Sequence, residues 1–288
     1  MNEKTLLYQI AEVKRFMMGF VLITKKNNVI VIDGGRPENM PSLKEYIGKR
    51  HISAWILTHA HSDHISGFIS EFNENGLCDF DIEKIYYHFP PYHELKGRVD
   101  VPCPEYFDSE LEETLSSFIK IEPGISHLAC IVSQGDSITV DECKIDFIYS
   151  YHDGLFSNLM NDSSLVFTVT TPNKRVLFLG DLGPEGGDVL YEESRHLLKA
   201  DIVQMAHHGH ECVGMEVYAE IMPEACMWCC QDWLYNEEPI PSYLTDRKKL
   251  RQRGRGRMYG TTVTRRWMDI LGVKKHYVTK DGTNEIEL

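Results

Sequence analysis

The chain has 288 residues, 42% hydrophobic and 25% charged, the mix of a globular protein long enough to bury a sizeable core. Its net charge of −13 argues against a general affinity for polyanions, and no apolar run approaches the ~20 residues of a membrane-spanning helix. The start, Met1-Asn2-Glu3-Lys4, lacks the basic-then-apolar pattern of a signal peptide, so a cytoplasmic protein without membrane contact is expected.

Thr5–Val13 and Gly19–Thr24 read as short strands. Val29–Asp33 is a strand closed by the turn signal Gly34-Gly35, and Ala54–Thr58 is a strand that runs straight into a cluster of histidines. Ser66–Asn73 reads as a helix and Ile82–His88 as a strand. From Phe89 the composition changes: prolines at 90, 91, 102, 104 and 123 bracket one helix, Glu105–Lys120, in an insertion spanning 89–126. Strand pattern resumes at Ser137–Val140, Lys144–Tyr151, Ser163–Thr171 and Arg175–Leu179. Helix Glu185–Leu198, strand Asp201–Met205, helix Val263–Leu271 and closing strands His276–Thr279 and Glu285–Leu288 complete the chain. Strand-rich halves that each carry helices predict a layered α/β protein, one domain over 1–288. The eight cysteines are expected to be reduced, and Cys226-x-x-Cys229-Cys230, with no second pair at zinc spacing, to be core packing beside Trp228.

The chemistry concentrates in Thr58-His59-Ala60-His61-Ser62-Asp63-His64. In chain leaving a strand, residues two apart point the same way, so His59 and His61 can grip one ion. Asp63 and His64, where the chain turns into a helix, can face a second. Two more apolar strands end in potential ligands: Val176-Leu-Phe-Leu-Gly180-Asp181, and Ile202-Val-Gln-Met-Ala206-His207-His208-Gly209-His210. A carboxylate such as Asp181 can bridge two cations held about 3.5–4 Å apart.

These pieces, His59-x-His61-x-Asp63-His64, Gly180-Asp181 and His207, with Asp33-Gly34-Gly35 ahead of them, resemble the metallo-β-lactamase fold superfamily. The resemblance implies a four-layer αββα sandwich with two divalent metal ions at one edge of its sheets: zinc first, manganese or iron as alternatives. Asn161-Asp162-Ser163-Ser164, Ala206-His207-His208-Gly209 and Met258-Tyr259-Gly260-Thr261 look like the branch that includes the metallo-β-lactamase domain of the bacterial DNA-uptake competence protein. His210 departs from the serine usual there, and the channel's membrane part is absent, so a free-standing relative is implied. The implied metal ligands are His59, His61, Asp63, His64, Asp181 and His207. Many members supply a further histidine some 20–25 residues before the bridging aspartate. None stands between 153 and 180 here, which leaves Asp162, or alternatively His152, for the first metal.

The expected reaction is hydrolysis by a metal-bound hydroxide, because a metal-bound water can have a pKa of about 7. Asp63 would orient that nucleophile, and His208 or His210 would protonate the leaving group, unless His208 serves instead to orient His207. Asn161, His210, Arg255 and Tyr259 are the expected substrate contacts. Seven basic residues and no acid fall within Arg247–Arg257, against 23 basic and 43 acidic residues elsewhere, a balance of −20. That local charge favours a phosphodiester or nucleotide-type substrate, while the acidic remainder disfavours broad duplex binding. A thioester or lactone hydrolase of the same fold, and a non-catalytic metal-binding scaffold or sensor, are the alternatives. No obligate protein partner is expected.

Overall fold

A computed structural model describes residues 3–97, 104–153, 158–236 and 260–288, with side chains for all of these except 95–97 and 104–112. The early strands are β1 (Leu6–Gln9), β2 (Gly19–Ile23), β3 (Val29–Asp33), β4 (His51–Ile56), β5 (Asp81–Ile82), β6 (Ile85–Tyr87) and β7 (Ala129–Ile131). There follow β8 (Ser137–Val140), β9 (Cys143–Tyr149), β10 (Val166–Thr170), β11 (Arg175–Phe178), β12 (Ile202–Gln204), β13 (Ala225–Trp228), β14 (Lys275–Val278) and β15 (Asn284–Glu287). One sheet runs β15-β1-β2-β3-β4-β6-β7, with β5 beside β4; the other runs β14-β13-β12-β11-β10-β9-β8.

Side chains of the central strands divide by parity. Phe20, Leu22, Ile30, Ile32, Ala54 and Ile56 face the second sheet and meet Phe147, Phe167 and Phe178 between the layers. Their neighbours Val21, Val29, Val31 and Trp55 join the other apolar cluster, beneath the helices. Both faces of these strands are therefore dry, which is why Val29-Ile-Val-Ile reads as a continuous apolar run. Helices Met40–Ile47, Ser62–Asn75 and Pro104–Ile125 connect strands of the first sheet, and Trp55 packs edge-on against Phe68 at 5.1 Å. Helices Pro184–Ser194, Met215–Ile221 and Thr262–Leu271 serve the second sheet, where Met268 meets Cys226. The architecture is the expected four-layer αββα sandwich.

Several elements differ from the sequence expectation. The segment 82–88 is two strands, broken where the Lys84 carbonyl accepts the Trp55 N–H and Glu83 pairs with Ile52. The helix expected from Ser66 begins at Ser62, so Asp63 and His64 occupy its first turn. Helix Pro104–Ile125 extends past Pro123 and lays Leu115, Phe118, Ile121 and Ile125 into the core. Helix Met40–Ile47 has Pro41 in its first turn, where a missing N–H is harmless. Strand β13, Ala-Cys-Met-Trp, holds no β-branched residue and gave no strand signal. Cys226, Cys229 and Cys230 are buried, unbridged core residues, as expected.

Strands β3, β4 and β6 are parallel to one another, as are β11, β12, β13 and β14. The backbone at Thr58, just past β4, accepts the N–H of Leu165, just before β10, joining the two sheets at one rim. The candidate ligands lie at that rim, beyond the carboxyl ends of the parallel strands.

Candidate metal centre

The floor of the centre is Asp33, the fully buried last residue of β3. Its Oδ1 accepts the Thr58 N–H at 2.8 Å, and its Oδ2 accepts the Thr58 hydroxyl at 2.8 Å and His64 Nδ1–H at 2.7 Å. Thr58 Oγ1 in turn lies 3.2 Å from His59 Nδ1 and accepts its proton. Both imidazoles are thereby fixed in the tautomer that bares Nε2 toward the interior. Helix Ser62–Asn75 can sit this close to β3 because of Gly67, where a Cβ would stand 2.5 Å from the Gly34 carbonyl oxygen.

The opposite wall comes from the second sheet. Gln204 at the end of β12 accepts the N–H groups of Leu179 and Gly180 at 2.9 and 2.8 Å and donates to the Gly180 carbonyl at 3.0 Å. The Asp181 N–H donates to Ser164 Oγ at 3.1 Å. Beyond β12 the chain makes a left-handed turn, with φ of +49° at His207, +56° at His208 and +89° at Gly209. Non-glycine residues are uncommon there, and two in succession persist only where the surroundings hold them. His208 Nδ1–H donates to the Cys229 carbonyl at 2.8 Å, and the Phe16 ring packs 4.8 Å from the imidazole.

Two groups of potential ligands result: His59, His61 and Asp181, and Asp63, His64 and His208. His59 Nε2 faces His61 Nδ1 at 2.9 Å and Asp181 Oδ2 at 3.8 Å. His64 Nε2 faces Asp181 Oδ1 at 3.2 Å, and His208 Nε2 faces Asp63 Oδ2 at 3.1 Å and Asp181 Oδ2 at 3.4 Å. Asp181 thus touches both groups. Donor atoms on a tetrahedral zinc stand about 3.3 Å apart, so these spacings fit cations. So does a pair of buried atoms: His64 Nε2 and Asp181 Oδ1 face each other with no hydrogen-bond partner. At their 3.2 Å separation a proton on Nε2 or a shared cation would satisfy both. The donor set, imidazole and carboxylate, suits divalent metals.

The electrostatics agree. Burial pushes the Asp181 carboxyl up, but His64, His208 and His207 outweigh it and hold the group well below the usual carboxylate range. Asp63 is likewise held low, with burial opposed by its bond to His208 and by His64 and Arg36. Burial lowers His64, yet Asp181 and Asp33 raise it well above an ordinary histidine. His208, opposed by burial and raised by Asp181 and Asp63, reaches about 10. Without a cation, protons hold these carboxylates together; a cation takes their place.

Of the sequence-predicted ligands, His59, His61, Asp63, His64 and Asp181 converge. His208, expected as a proton donor, stands instead with Asp63 and His64, because its Nδ1–H is committed to Cys229 and only Nε2 faces the centre. His207, also expected as a ligand, joins neither group, although its Nε2 stands 3.8 Å from Asp181 Oδ2. Asp162 joins neither group: its Oδ1 accepts the Gly186 N–H at 2.9 Å, in the first turn of helix Pro184–Ser194. Burial raises its carboxyl to about 6, with no metal-centre residue among the principal causes. His152 is in neither group. Asn161 is buried beside Asp162 with Oδ1 unpartnered. His210 stacks edge-on against His207 at 5.0 Å and accepts the Gly260 N–H at Nδ1. Arg255 and Tyr259 lie outside the described residues. Sequence reading missed Thr58 and Gln204 as supports, although a glutamine inside Ile-Val-Gln-Met is a signal, since a buried amide needs partners.

Residues 20–140 match the family model of the metallo-beta-lactamase superfamily. The metallo-beta-lactamase fold protein YhfI from Bacillus subtilis superposes with a TM-score of 0.56 at 12% identity, over 98% of this chain and 100% of that one. CmlA, a diiron beta-hydroxylase from Streptomyces venezuelae, superposes with a TM-score of 0.52 at 10% identity. That match covers 100% of this chain and 55% of CmlA, so the chain spans about half of CmlA's length. No curated protein sequence matches the chain. At these identities the likeness establishes the fold, which is the metallo-β-lactamase fold. Among the described residues no helix is long and apolar enough to cross a membrane.

Proposed function

We propose that this chain is a metal-dependent hydrolase of the metallo-β-lactamase superfamily, acting through two divalent cations on a phosphodiester or nucleotide-type substrate. The observation that carries the reading is Asp181, one carboxylate between two groups of histidine and aspartate donors at a rim where both sheets end. When bound, the cations would supply an acidified water and polarise the substrate's phosphoryl or carbonyl oxygen. The chain's own residues do the rest. Asp63 is ionised and fixed by His208, so its carboxylate can accept a hydrogen bond from a nucleophile and orient it. His210 accepts the Gly260 N–H at Nδ1, and burial with His207 and His208 beside it lowers its imidazole well below an ordinary histidine, so it can orient a polar group of the substrate. Phe16, 4.8 Å from the His208 ring and 6.5 Å from that of Trp233, shields His208 from water.

Charge and chain position support a phosphorylated substrate. The basic stretch Arg247–Arg257 falls between Tyr235 and Thr261, which are joined by a hydrogen bond from Thr261 Oγ1 to the Tyr235 carbonyl at 3.0 Å. The adjoining Gly260 binds His210. The described residues on either side, Tyr235 and Gly260, are thus held through Thr261 and His210. Zinc is the proposed ion, with manganese or iron as alternatives. The test is turnover of bis-p-nitrophenyl phosphate against a thioester, each with Zn²⁺ and with Mn²⁺, in wild type and the His61→Ala, Asp181→Ala double variant. Faster thioester turnover would move the reading to the thioester or lactone alternative. Two bound metals without turnover on a broad panel would make the protein a metal-binding scaffold.

A further inference from the structure

The two ligand groups are unequally enclosed: Asp63, His64 and His208 are all buried, whereas His61 of the other group is partly open. The loop between β1 and β2 touches the buried group at two points. Its Phe16 ring packs 4.8 Å from the His208 imidazole, and its Met18 N–H donates to the Asp63 carbonyl at 3.0 Å. The turn after β3 lies against the same helix start: the Gly34 N–H donates to the His64 carbonyl at 2.7 Å, and the Gly67 N–H to that of Gly35 at 2.9 Å. One charged side chain joins the three segments, that of Arg36. Arginine is seldom buried without partners, and Arg36 is only 8% exposed. Its Nη1–H donates to the hydroxyl of Ser62, the first residue of helix Ser62–Asn75, at 2.9 Å, and its Nε–H reaches the Phe16 carbonyl at 3.5 Å. Its own N–H donates to Oδ1 of the fully buried Asn39 at 3.2 Å, which fixes the backbone it springs from.

We propose that Arg36 is a positioning residue of the metal centre, whose guanidinium ties the Phe16 segment to the start of the helix that carries Asp63 and His64. The inference rests on the hydrolase reading above and names a support of that same site. Asp63 follows Ser62 directly, and its carboxylate lies 3.1 Å from His208 Nε2. The aim of that carboxylate therefore depends on two placements: the first turn of the helix, which Arg36 holds at Ser62, and the His208 ring, which Phe16 covers. A guanidinium offers separate N–H groups in a rigid fork and can hold both at once, whereas an ammonium is a single point on a flexible stem. The charge of Arg36 also favours the ionised form of Asp63. That same charge repels a cation at the carboxylate, so the directional bonds, rather than the charge, are what a metal centre gains from it.

The test separates the bonds from the charge. Arg36→Lys keeps the charge and loses the fork, Arg36→Met loses both, and Ser62→Ala removes one acceptor with the guanidinium intact. Hydrogen exchange is followed by mass spectrometry in the metal-free proteins, in the peptide spanning 16–18 and in strand Val166–Thr170 as the reference for global opening. Exchange at 16–18 is expected to rise about 10-fold in both Arg36 variants, as the loss of one or two hydrogen bonds implies, and less in Ser62→Ala, with the reference strand unchanged. With Zn²⁺ and bis-p-nitrophenyl phosphate, kcat of Arg36→Lys is expected to fall about 10–100-fold at nearly constant KM. Arg36→Lys that matches wild type in exchange or in kcat would overturn the proposal, because the charge would then suffice. Exchange that rises equally in the reference strand would overturn it as well, marking a merely destabilised fold. Should Arg36→Met fail to fold, the other two variants decide. Wild type without turnover would overturn the hydrolase reading, and exchange at 16–18 would still decide the role of Arg36.

Discussion

Asp33→Asn isolates what the floor of the centre does. The aspartate accepts three hydrogen bonds, from the Thr58 N–H, the Thr58 hydroxyl and His64 Nδ1–H. Asparagine has the same shape but one acceptor oxygen. If that oxygen keeps the Thr58 N–H, the amide NH₂ takes the place of Oδ2, 2.7 Å from His64 Nδ1. Two N–H groups cannot face each other, so His64 must move its proton to Nε2, the atom that faces Asp181. A protonated Nε2 cannot bind a cation. Loss of such a support weakens metal binding about 10–100-fold, or ~1.4–2.7 kcal/mol. Asp33→Ala, which also removes the shape and leaves buried donors unpaired, should cost about 3–5 kcal/mol of folding stability. The assay is competitive Zn²⁺ titration against a chromophoric chelator, with chemical denaturation of the metal-free protein alongside. Asp33→Asn that binds two ions at wild-type affinity would refute the tautomer reasoning.

Three further outcomes are expected. In metal-free protein, His64 and His208 titrate higher in the fold than in the unfolded chain, so their stabilisation is complete below about pH 6.5 and is lost as pH rises through the folded values, about 10 for His208. Asp63 and Asp181 titrate lower in the fold, so their stabilisation is present above about pH 4 and is lost as pH falls. Metal displaces the histidine protons, so the gain in thermal midpoint on adding Zn²⁺ should widen from pH 6 to pH 9; a gain that shrinks contradicts the assignment. Gly209→Ala places a methyl 2.5 Å from Trp228 Cε3 at φ +89°, which should cost about 2–4 kcal/mol; a change under about 0.5 kcal/mol by denaturant titration would show that the turn relaxes. Asp162 has its carboxyl raised to about 6 by burial, so ionising it opposes folding above that pH; Asp162→Asn should be about 1–3 kcal/mol more stable at pH 8, and a loss of stability there would mean its charge has a partner.

Most of the fold was legible because strands buried on both faces are continuous apolar runs ending at glycine or a ligand, as at Val29–Asp33 and Arg175–Phe178. What stayed hidden had no local signal. Strand β13 is Ala-Cys-Met-Trp, whose suitability comes from being covered on both sides rather than from propensity. In the site, five of the candidate ligands followed from strand ends and two-residue spacing. Asp162 did not follow, because spacing along the chain cannot tell whether a carboxylate turns toward a metal or toward the helix that begins at Pro184. The role of His208 was hidden as well. It depends on left-handed torsions at two histidines, to which Gly209 is the sequence's single clue.

The unequal enclosure of the two ligand groups bears on kinetics. His61 and His207 are partly open to solvent, His207 with 29% of its side chain accessible, whereas His64 and His208 are buried. A chelator can approach the group of His59, His61 and Asp181 from the side of His61, but that of Asp63, His64 and His208 only after the fold breathes. Brief chelation should therefore strip one ion and leave the other behind, and refilling with a different element would give a hybrid with two distinguishable nuclei.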